Sequence, residues 1–232
     1  HGEIMGCCRA PLRCRTIFAN IAACTVTGFF EDTSIRPIAV PFVMVFAAVM
    51  LLFALSAPAR AQGPVSLTPA DPQPEAGALK PGLAVRYGYG EVKWLAQAAG
   101  WAGNTKPGAP LEGFVYGDSV VGERILTADS SEFVVAFIQG FMRFEAGIHE
   151  LEFQSNDGLR VTLGGVKVYE HDGRHKCQTN GVVRITIPKS GWYPVKALFF
   201  NRKFTACLDL SIRPEGGEWD FTNPEMYAHL PQ

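Results

Sequence analysis

An amide and a carboxylate stand side by side in the turn Ser155-Asn156-Asp157-Gly158, which joins two segments of alternating apolar and polar residues. Their oxygens could bind a ligand. Ordinary turn chemistry also explains them, because Asn and Asp bond to their own backbone and Gly tolerates a positive φ. A second amide, Asn201, continues an apolar face of the run Gly191–Asn201, where another apolar residue would be expected. The residues alone leave open whether these side chains form a binding site or only a turn.

Two other groups of chemically capable residues give no support for catalysis or a metal. His171, His175 and Cys177 resemble a metal cluster, but Asp172-Gly173 indicates a turn and not the helix that would align two histidines four residues apart. The sequence has no G-x-S-x-G motif, and no carboxylate pair stands out for acid–base catalysis. We therefore expect a protein that is not an enzyme.

The first quarter of the chain has the features of an export signal. Arg36 precedes an unbroken apolar run from Ile38 to Leu55, and Ala59-Arg60-Ala61 presents small residues to a signal peptidase. We predict that residues 1–61 are an N-terminal extension and signal peptide, cleaved after Ala61. The apolar run has 18 residues, so an uncleaved membrane anchor is the alternative. The predicted location is secreted or periplasmic, with no membrane contact after cleavage.

The chain after this signal is close to neutral. Residues 62–232 keep 16 of the 21 basic and 19 of the 22 acidic residues, a net charge of −3. Without a Lys/Arg block, nucleic acid is not an expected partner. The same part keeps only Cys177 and Cys207, and two cysteines in an exported domain predict one disulfide. Because Cys207 lies on the outward side of an alternating run, the bridge would hold the loop of Cys177 against the outer face of a sheet.

Two-residue periodicity dominates from Glu132 onward and predicts an all-β fold. Residues 62–81 are rich in Pro and small residues and are expected to form an extended linker. Residues 92–99 could form a short helix. The predicted strands cover 132–144, 147–154, 159–164, 182–187, 191–201 and 206–213. Short strands at roughly ten-residue spacing are typical of an antiparallel β-sandwich or barrel.

The order of these segments resembles the PA-fourteen (PA14) domain, the β-barrel module named for anthrax protective antigen and shared with yeast flocculins. Four landmarks carry the resemblance over about Gly82 to Gly217: an opening strand, a central signature with an Asp-Gly turn, a Gly-aromatic-Pro strand and a closing strand. Here they are GLAVRYGYG (82–90), AFIQGFMRFEAGIHELEFQSNDGLRVTLGGVKV (136–168), KSGWYPVKALFFN (189–201) and LDLSIRPEGG (208–217). The resemblance implies that residues 82–232 form one β-barrel or sandwich domain of jelly-roll type.

The resemblance also implies a ligand set. In sugar-binding members of the family, two adjacent Asp residues, joined by a cis peptide, hold a calcium ion that coordinates sugar hydroxyls. The matching positions are Asn156 and Asp157, and the Asn that ends the aromatic-Pro strand matches Asn201. One Asp is Asn here, so the set offers calcium a single charge. We predict Asp157 as the main calcium ligand, with Asn156 and Asn201 as supporting oxygens.

We predict a secreted, non-catalytic carbohydrate-binding module of lectin type, with calcium as its cofactor and a glycan or polysaccharide as its partner. The alternative is a structural or protein-interaction domain of the cell envelope, in which Asn156-Asp157-Gly158 serves only as a turn. That turn is expected to be exposed, so that Asp157→Ala would leave the fold intact. Aromatic residues near Gly-rich segments could stack on sugar rings or close the ends of the fold; they are Trp101, Tyr116, Trp192 and Trp219.

Overall fold

The computed structural model describes residues 63–231. Their regular secondary structure is almost entirely β-strand. In chain order the strands are β1 (Val65–Ser66), β2 (Lys80–Pro81), β3 (Ala84–Tyr89), β4 (Lys106–Pro107), β5 (Val115–Tyr116), β6 (Val134–Phe144), β7 (Gly147–Asn156), β8 (Leu159–Leu163), β9 (Val166–His171), β10 (Gln178–Ile187), β11 (Gly191–Asn201), β12 (Cys207–Pro214), β13 (Asp220–Phe221) and β14 (Tyr227–His229). One short α-helix, α1 (Leu95–Ala99), lies within the stretch predicted as helical. Two 3₁₀ turns cover Ala76–Ala78 and Pro224–Met226.

The strands form two sheets. One has the order β1-β10-β7-β12-β13, with β5 also beside β12. The other has the order β2-β14-β6-β11-β8-β9, with β3 beside β6 and β4 beside β3. All pairs are antiparallel except that of β1 with β10. Within residues 63–231 neither sheet closes on itself, so the predicted all-β antiparallel fold is confirmed as a sandwich rather than a barrel.

The inner faces of the sheets follow the predicted alternation. Most side chains of β7, β8, β11 and β12 that the alternation predicts to face inward are at most 5% exposed; they are Leu151, Phe153, Leu159, Val161, Leu163, Tyr193, Val195, Ala197, Phe199, Leu208 and Leu210. Ile212 of β12, also predicted to face inward, is only partly buried against the same core. These residues belong to one continuous hydrophobic core between the sheets. Burial of such a core is the main favourable term in folding, and it fixes the register of β7 and β11, the strands that carry the candidate site.

A second, smaller cluster lies on the other face of β11. Phe200 packs there with Val135 and with three residues in or near α1, namely Val92, Leu95 and Ala98. The short helix therefore covers the end of β11 that carries Asn201. This layer explains why the strand 191–201 shows apolar residues on both faces near its end.

Residues 62–81 differ from the expectation of a linker. They are extended, but in the described part they pack against the domain: β1 pairs with β10, and β2 pairs with β14. Leu67 is only 2% exposed, and its backbone N–H donates to the carbonyl of Thr186 at 3.0 Å. The segment covers sheet edges that would otherwise expose unpaired backbone groups.

The predicted signal peptide and its cleavage after Ala61 lie outside the described residues. Within residues 63–231 no helix has the length and apolar character needed to cross a membrane.

Candidate functional site

The three candidate residues meet at one end of the sandwich. Asn156 ends β7 and Asn201 ends β11, which belong to different sheets. The Asn201 Nδ2 group donates to the carbonyl oxygen of Asn156 at 3.0 Å and to that of Thr205 at 2.8 Å. Asn156 Nδ2 donates to Thr205 Oγ1 at 3.1 Å. The Asn156-Asp157 peptide bond is cis, as the resemblance implies.

Asp157 lies between two loops and holds both of them. Its Oδ1 accepts a hydrogen bond from the backbone N–H of His175 at 3.1 Å, and its Oδ2 accepts one from the backbone N–H of Arg202 at 2.9 Å. The first donor belongs to the loop of residues 172–177, between β9 and β10. The second belongs to the loop of residues 202–206, between β11 and β12. A single carboxylate thus fixes two segments that are far apart in sequence.

The expectation of an exposed turn is wrong. Asn156 is 7% exposed and Asp157 is 6% exposed. Burial raises the pKa of the Asp157 carboxyl, although the N–H donors of Arg202 and His175 and the nearby charge of Arg174 act in the opposite direction. The protein therefore keeps this carboxylate in a position where its charge is costly.

Position 158 needs glycine because there is no space for a side chain, and not because its backbone has a positive φ. A Cβ at this position would lie 2.3 Å from Cε1 of Phe200. The Phe200 ring is fully buried, so it has little freedom to move away. Backbone hydrogen bonds also join the two segments. The N–H of Asp157 donates to the carbonyl of Phe200 at 3.1 Å, and the N–H of Phe200 donates to the carbonyl of Gly158 at 3.0 Å.

Asn201 has an unusual acceptor. The residue is fully buried, and its Oδ1 has no hydrogen-bond partner among the described residues. Buried polar atoms are almost always paired, because an unpaired one costs about 1–3 kcal/mol. A cation or a ligand hydroxyl near Asn156 and Asp157 would supply the missing partner. Within residues 63–231 no group of three or more His, Cys, Asp or Glu side chains could hold a metal ion, so a cation here would depend on amide oxygens beside one carboxylate.

The predicted disulfide is confirmed and lies directly beside the site. Cys177 and Cys207 are bonded, with their Cα atoms 5.8 Å apart. Cys207 is the ladder partner of Asn156 across β7 and β12. The bridge therefore ties the 172–177 loop to the strand that neighbours Asn156, on the sheet face opposite to the core residues Leu208 and Leu210.

The 172–177 loop has further supports. Asp172 Oδ1 accepts hydrogen bonds at 2.7 Å from the backbone N–H groups of Leu95 and Gly173. Gly173 has a φ of 85°, which marks the predicted turn. The rings of His171 and His175 stack with centroids 3.5 Å apart. Burial and the neighbouring His175 lower the pKa of His171.

The two loops enclose a cleft of about 370 Å³ above the candidate residues. Its lining contains four Lys or Arg side chains and one carboxylate, and its exposed aromatic residue, Phe204, is 63% exposed with a φ of 71°. The lining residues are Asn156, Asp157, Arg174, His175, Lys176, Arg202, Lys203, Phe204 and Thr205. Phe204 and the basic residues were not among the residues predicted for the site. The predicted disulfide was the signal that could have found them, because it requires both loops to share one surface.

The architecture matches solved structures. The PA14 sugar-binding domain of an RTX adhesin aligns with a TM-score of 0.54 and 19% identity, over 64% of this chain and 98% of that one. The PA14 domain of the antifreeze protein MpAFP aligns with a TM-score of 0.55 and 15% identity, over 67% of this chain and 93% of that one. This domain has the PA14 fold. No protein-family model and no curated protein sequence matches the chain.

A further PA14-like neighbour carries a sugar. The A domain of epithelial adhesin 9 from Candida glabrata, solved in complex with Galβ1-3GlcNAc, aligns with a TM-score of 0.55 and 12% identity, over 72% of this chain and 97% of that one. The predicted resemblance to the PA14 family is thus confirmed at the level of the fold.

The other aromatic candidates lie away from the cleft. Trp101 packs over Gly88 and Gly90, where an added Cβ would clash with its ring. Trp192 lines a separate groove of about 530 Å³ with Tyr227. Tyr116 lines another depression, and Trp219 lies against the Arg213 guanidinium at 4.5 Å. None of the four lines the cleft that holds Asn156 and Asp157.

Proposed function

We propose that this PA14 domain is a secreted, non-catalytic carbohydrate-binding module whose glycan occupies the cleft between the 172–177 and 202–206 loops. The observation that carries the proposal is the meeting of Asn156, Asp157 and Asn201 beneath a cleft that also presents an exposed Phe204. Solved domains of the same fold support it, since one is a sugar-binding domain of an RTX adhesin and another is in complex with Galβ1-3GlcNAc.

The cleft has the groups that sugar recognition needs. Amide and carboxylate oxygens accept hydrogen bonds from hydroxyls, and the basic side chains donate to them. An aromatic face provides apolar contact for a sugar ring. Phe204 is well suited to that contact because it lies at the lining of the cleft and is not packed into the core. A bound sugar would displace water from the apolar ring of Phe204, whose exposure to water is unfavourable.

Calcium is part of the proposal. Asp157 would supply the charged oxygen, and Asn156 and Asn201 would supply neutral ones; the unpaired Oδ1 of Asn201 fits this role. When bound, the ion would supply a positive centre that attracts sugar hydroxyls. Asp157 keeps acceptor capacity after its two N–H bonds, because a carboxylate offers about four lone-pair positions. With one carboxylate, the affinity should be weak, on the order of 0.1–1 mM.

A specific observation favours the alternative, a structural or protein-interaction domain of the cell envelope. Asp157 already accepts two backbone hydrogen bonds, and the amides of Asn156 and Asn201 donate to groups of the protein itself. These bonds would suffice to explain the three residues as supports of the two loops. A measurement of ligand binding distinguishes the two functions, whereas a measurement of stability does not.

A glycan array, run with millimolar calcium and again with a chelator, tests the proposal. Phe204→Ala should lose most of the binding that the wild type shows. Phe221→Ala is the matched control, because Phe221 is 69% exposed and lies on β13, outside the cleft. Absence of binding by the wild type would refute the proposal and leave the structural alternative. Equal binding by both variants would refute the cleft with Phe204 as the glycan site.

The calcium component has its own test. Titration calorimetry should show weak binding to the wild type and tighter binding to Asn156→Asp, since a second carboxylate adds charge to the site. If neither protein gives a calcium signal at millimolar metal, the ion is not part of the site, and glycan binding would have to rest on the side chains alone.

A further inference from the structure

The cleft has the opposite charge to the domain that carries it. Residues 62–232 have a net charge of −3, whereas the cleft lining contains Arg174, Lys176, Arg202 and Lys203 against the single carboxylate of Asp157. Charged side chains of one sign repel each other when they are brought together, so such a cluster needs partners or a ligand.

Two of the four cations have partners outside the lining. Arg202 Nε donates to Glu91 Oε1 at 2.8 Å. Lys203 Nζ lies 4.0 Å from a carboxylate oxygen of Glu132. These contacts leave the positive charge of the cleft only partly compensated.

The other two cations, Arg174 and Lys176, are exposed, and neither takes part in an ion pair within residues 63–231. Both belong to the loop that the disulfide to Cys207 and the hydrogen bond to Asp157 hold in place. Their backbone is therefore positioned before any ligand arrives, which reduces the entropic cost of binding.

We propose that the glycan bound in this cleft is acidic, with a carboxylate or sulfate group that Arg174 and Lys176 recognise while a sugar ring contacts Phe204. This inference rests on the proposed function and adds the chemical class of the ligand. Guanidinium groups bind carboxylate and sulfate-type oxygens through paired N–H donors. With four Lys or Arg side chains against one carboxylate in the lining, the cations are the dominant charges at the mouth of the cleft.

The test compares sugars that share one neutral core. Lactose, sialyllactose and sulfated lactose, together with a wider array of neutral, carboxylated and sulfated glycans, are offered to the whole purified protein in calcium and in chelator. Sialylated and sulfated members distinguish the two sources of negative charge. Arg174→Gln/Lys176→Gln should lower the affinity for acidic glycans by roughly tenfold, since two partly exposed ion pairs are removed.

The matched control is Lys80→Gln/Lys189→Gln, which removes the same charge from exposed positions outside the cleft lining. This variant should bind like the wild type. Raising the salt concentration should weaken acidic binding, because screening shortens the Debye length from about 8 Å at physiological salt to about 3 Å at 1 M.

Each outcome decides the proposal. Preferential binding of acidic glycans, lost in the Arg174/Lys176 variant and kept in the control, supports it. Equal or better binding of neutral glycans overturns it while the proposed function stands. Binding of polyglutamate as tightly as acidic glycans also overturns it, because charge without sugar would then suffice. If no glycan binds, both this inference and the proposed function fall.

Discussion

Replacement of the buried carboxylate by Asp157→Ala tests whether one side chain organises both loops of the cleft. The variant removes two hydrogen bonds, at 3.1 and 2.9 Å, from the backbone N–H groups of His175 and Arg202. Hydrogen bonds to a charged acceptor contribute about 1.5–3 kcal/mol each. Part of this is offset, because the substitution also relieves the desolvation that raises the pKa of Asp157. We expect a net loss of about 2 kcal/mol.

Thermal and denaturant unfolding at neutral pH measure the effect. For a domain of this size, a loss of about 2 kcal/mol lowers the Tm by about 4–8 °C. Asp209→Ala is the matched control: burial also raises the pKa of Asp209, but no hydrogen bond to its side chain is found in the described part of the chain. Its removal should change stability by less than about 0.5 kcal/mol. Equal effects of the two substitutions would refute the role assigned to Asp157.

Four further outcomes are expected. Cys177→Ala/Cys207→Ala should lower the free energy of unfolding by about 3.6 kcal/mol in the chain-entropy model, given a sequence separation of 30; a loss below about 1 kcal/mol in urea unfolding would contradict it. Gly158→Ala should cost about 1–3 kcal/mol because its Cβ would meet Phe200, whereas Gly103→Ala, with open space around it, should not. Because the pKa of His171 is lowered from 6.5, its contribution to stability is present above that pH and lost as pH falls through the lowered value; His171→Phe should flatten this part of the stability–pH curve, and an unchanged slope would count against it. Mass spectrometry of the exported protein should find Gln62 at the N-terminus; recovery of residues 45–55 in a membrane fraction would show an uncleaved anchor.

The features that could be predicted from the sequence are those set by local periodicity. The alternation in β7, β11 and β12 fixed which face is buried, because side chains in a strand point to opposite faces in turn. The disulfide followed from the presence of two cysteines in a domain that is predicted to be exported. The meeting of Asn156 with Asn201 was implied only by the family resemblance, since they lie on strands of different sheets.

The features that could not be predicted depend on tertiary packing. The Pro-rich segment 62–81 looked like a linker because its composition disfavours long strands, yet two-residue strands are enough to cover a sheet edge. The turn at Asp157 looked exposed because its residues are polar, but two loops cover it. Gly158 looked like a φ-driven turn residue, and its actual constraint is the ring of Phe200, 42 positions further along the chain.

The charge of the cleft was hidden for the same reason. Arg174 and Lys176 precede one cysteine and Lys203 and Phe204 precede the other, and neither segment alone is notable in a chain of nearly neutral charge. The disulfide and the two hydrogen bonds to Asp157 bring them to one surface. A disulfide between Cys177 and Cys207 requires the residues that precede each cysteine to lie close together, so these residues could have been predicted as part of the candidate site.

The most direct test of the proposed function is to locate the glycan on the domain by proton–nitrogen correlation NMR, using the tightest ligand from the array in the presence of calcium. The account predicts that backbone shifts concentrate at residues 156–157, 174–176 and 202–205, which line the cleft, and that Phe204→Ala abolishes them. Shifts that concentrate around Trp192 and Tyr227 in the separate groove, or no shifts at saturating glycan, would contradict it.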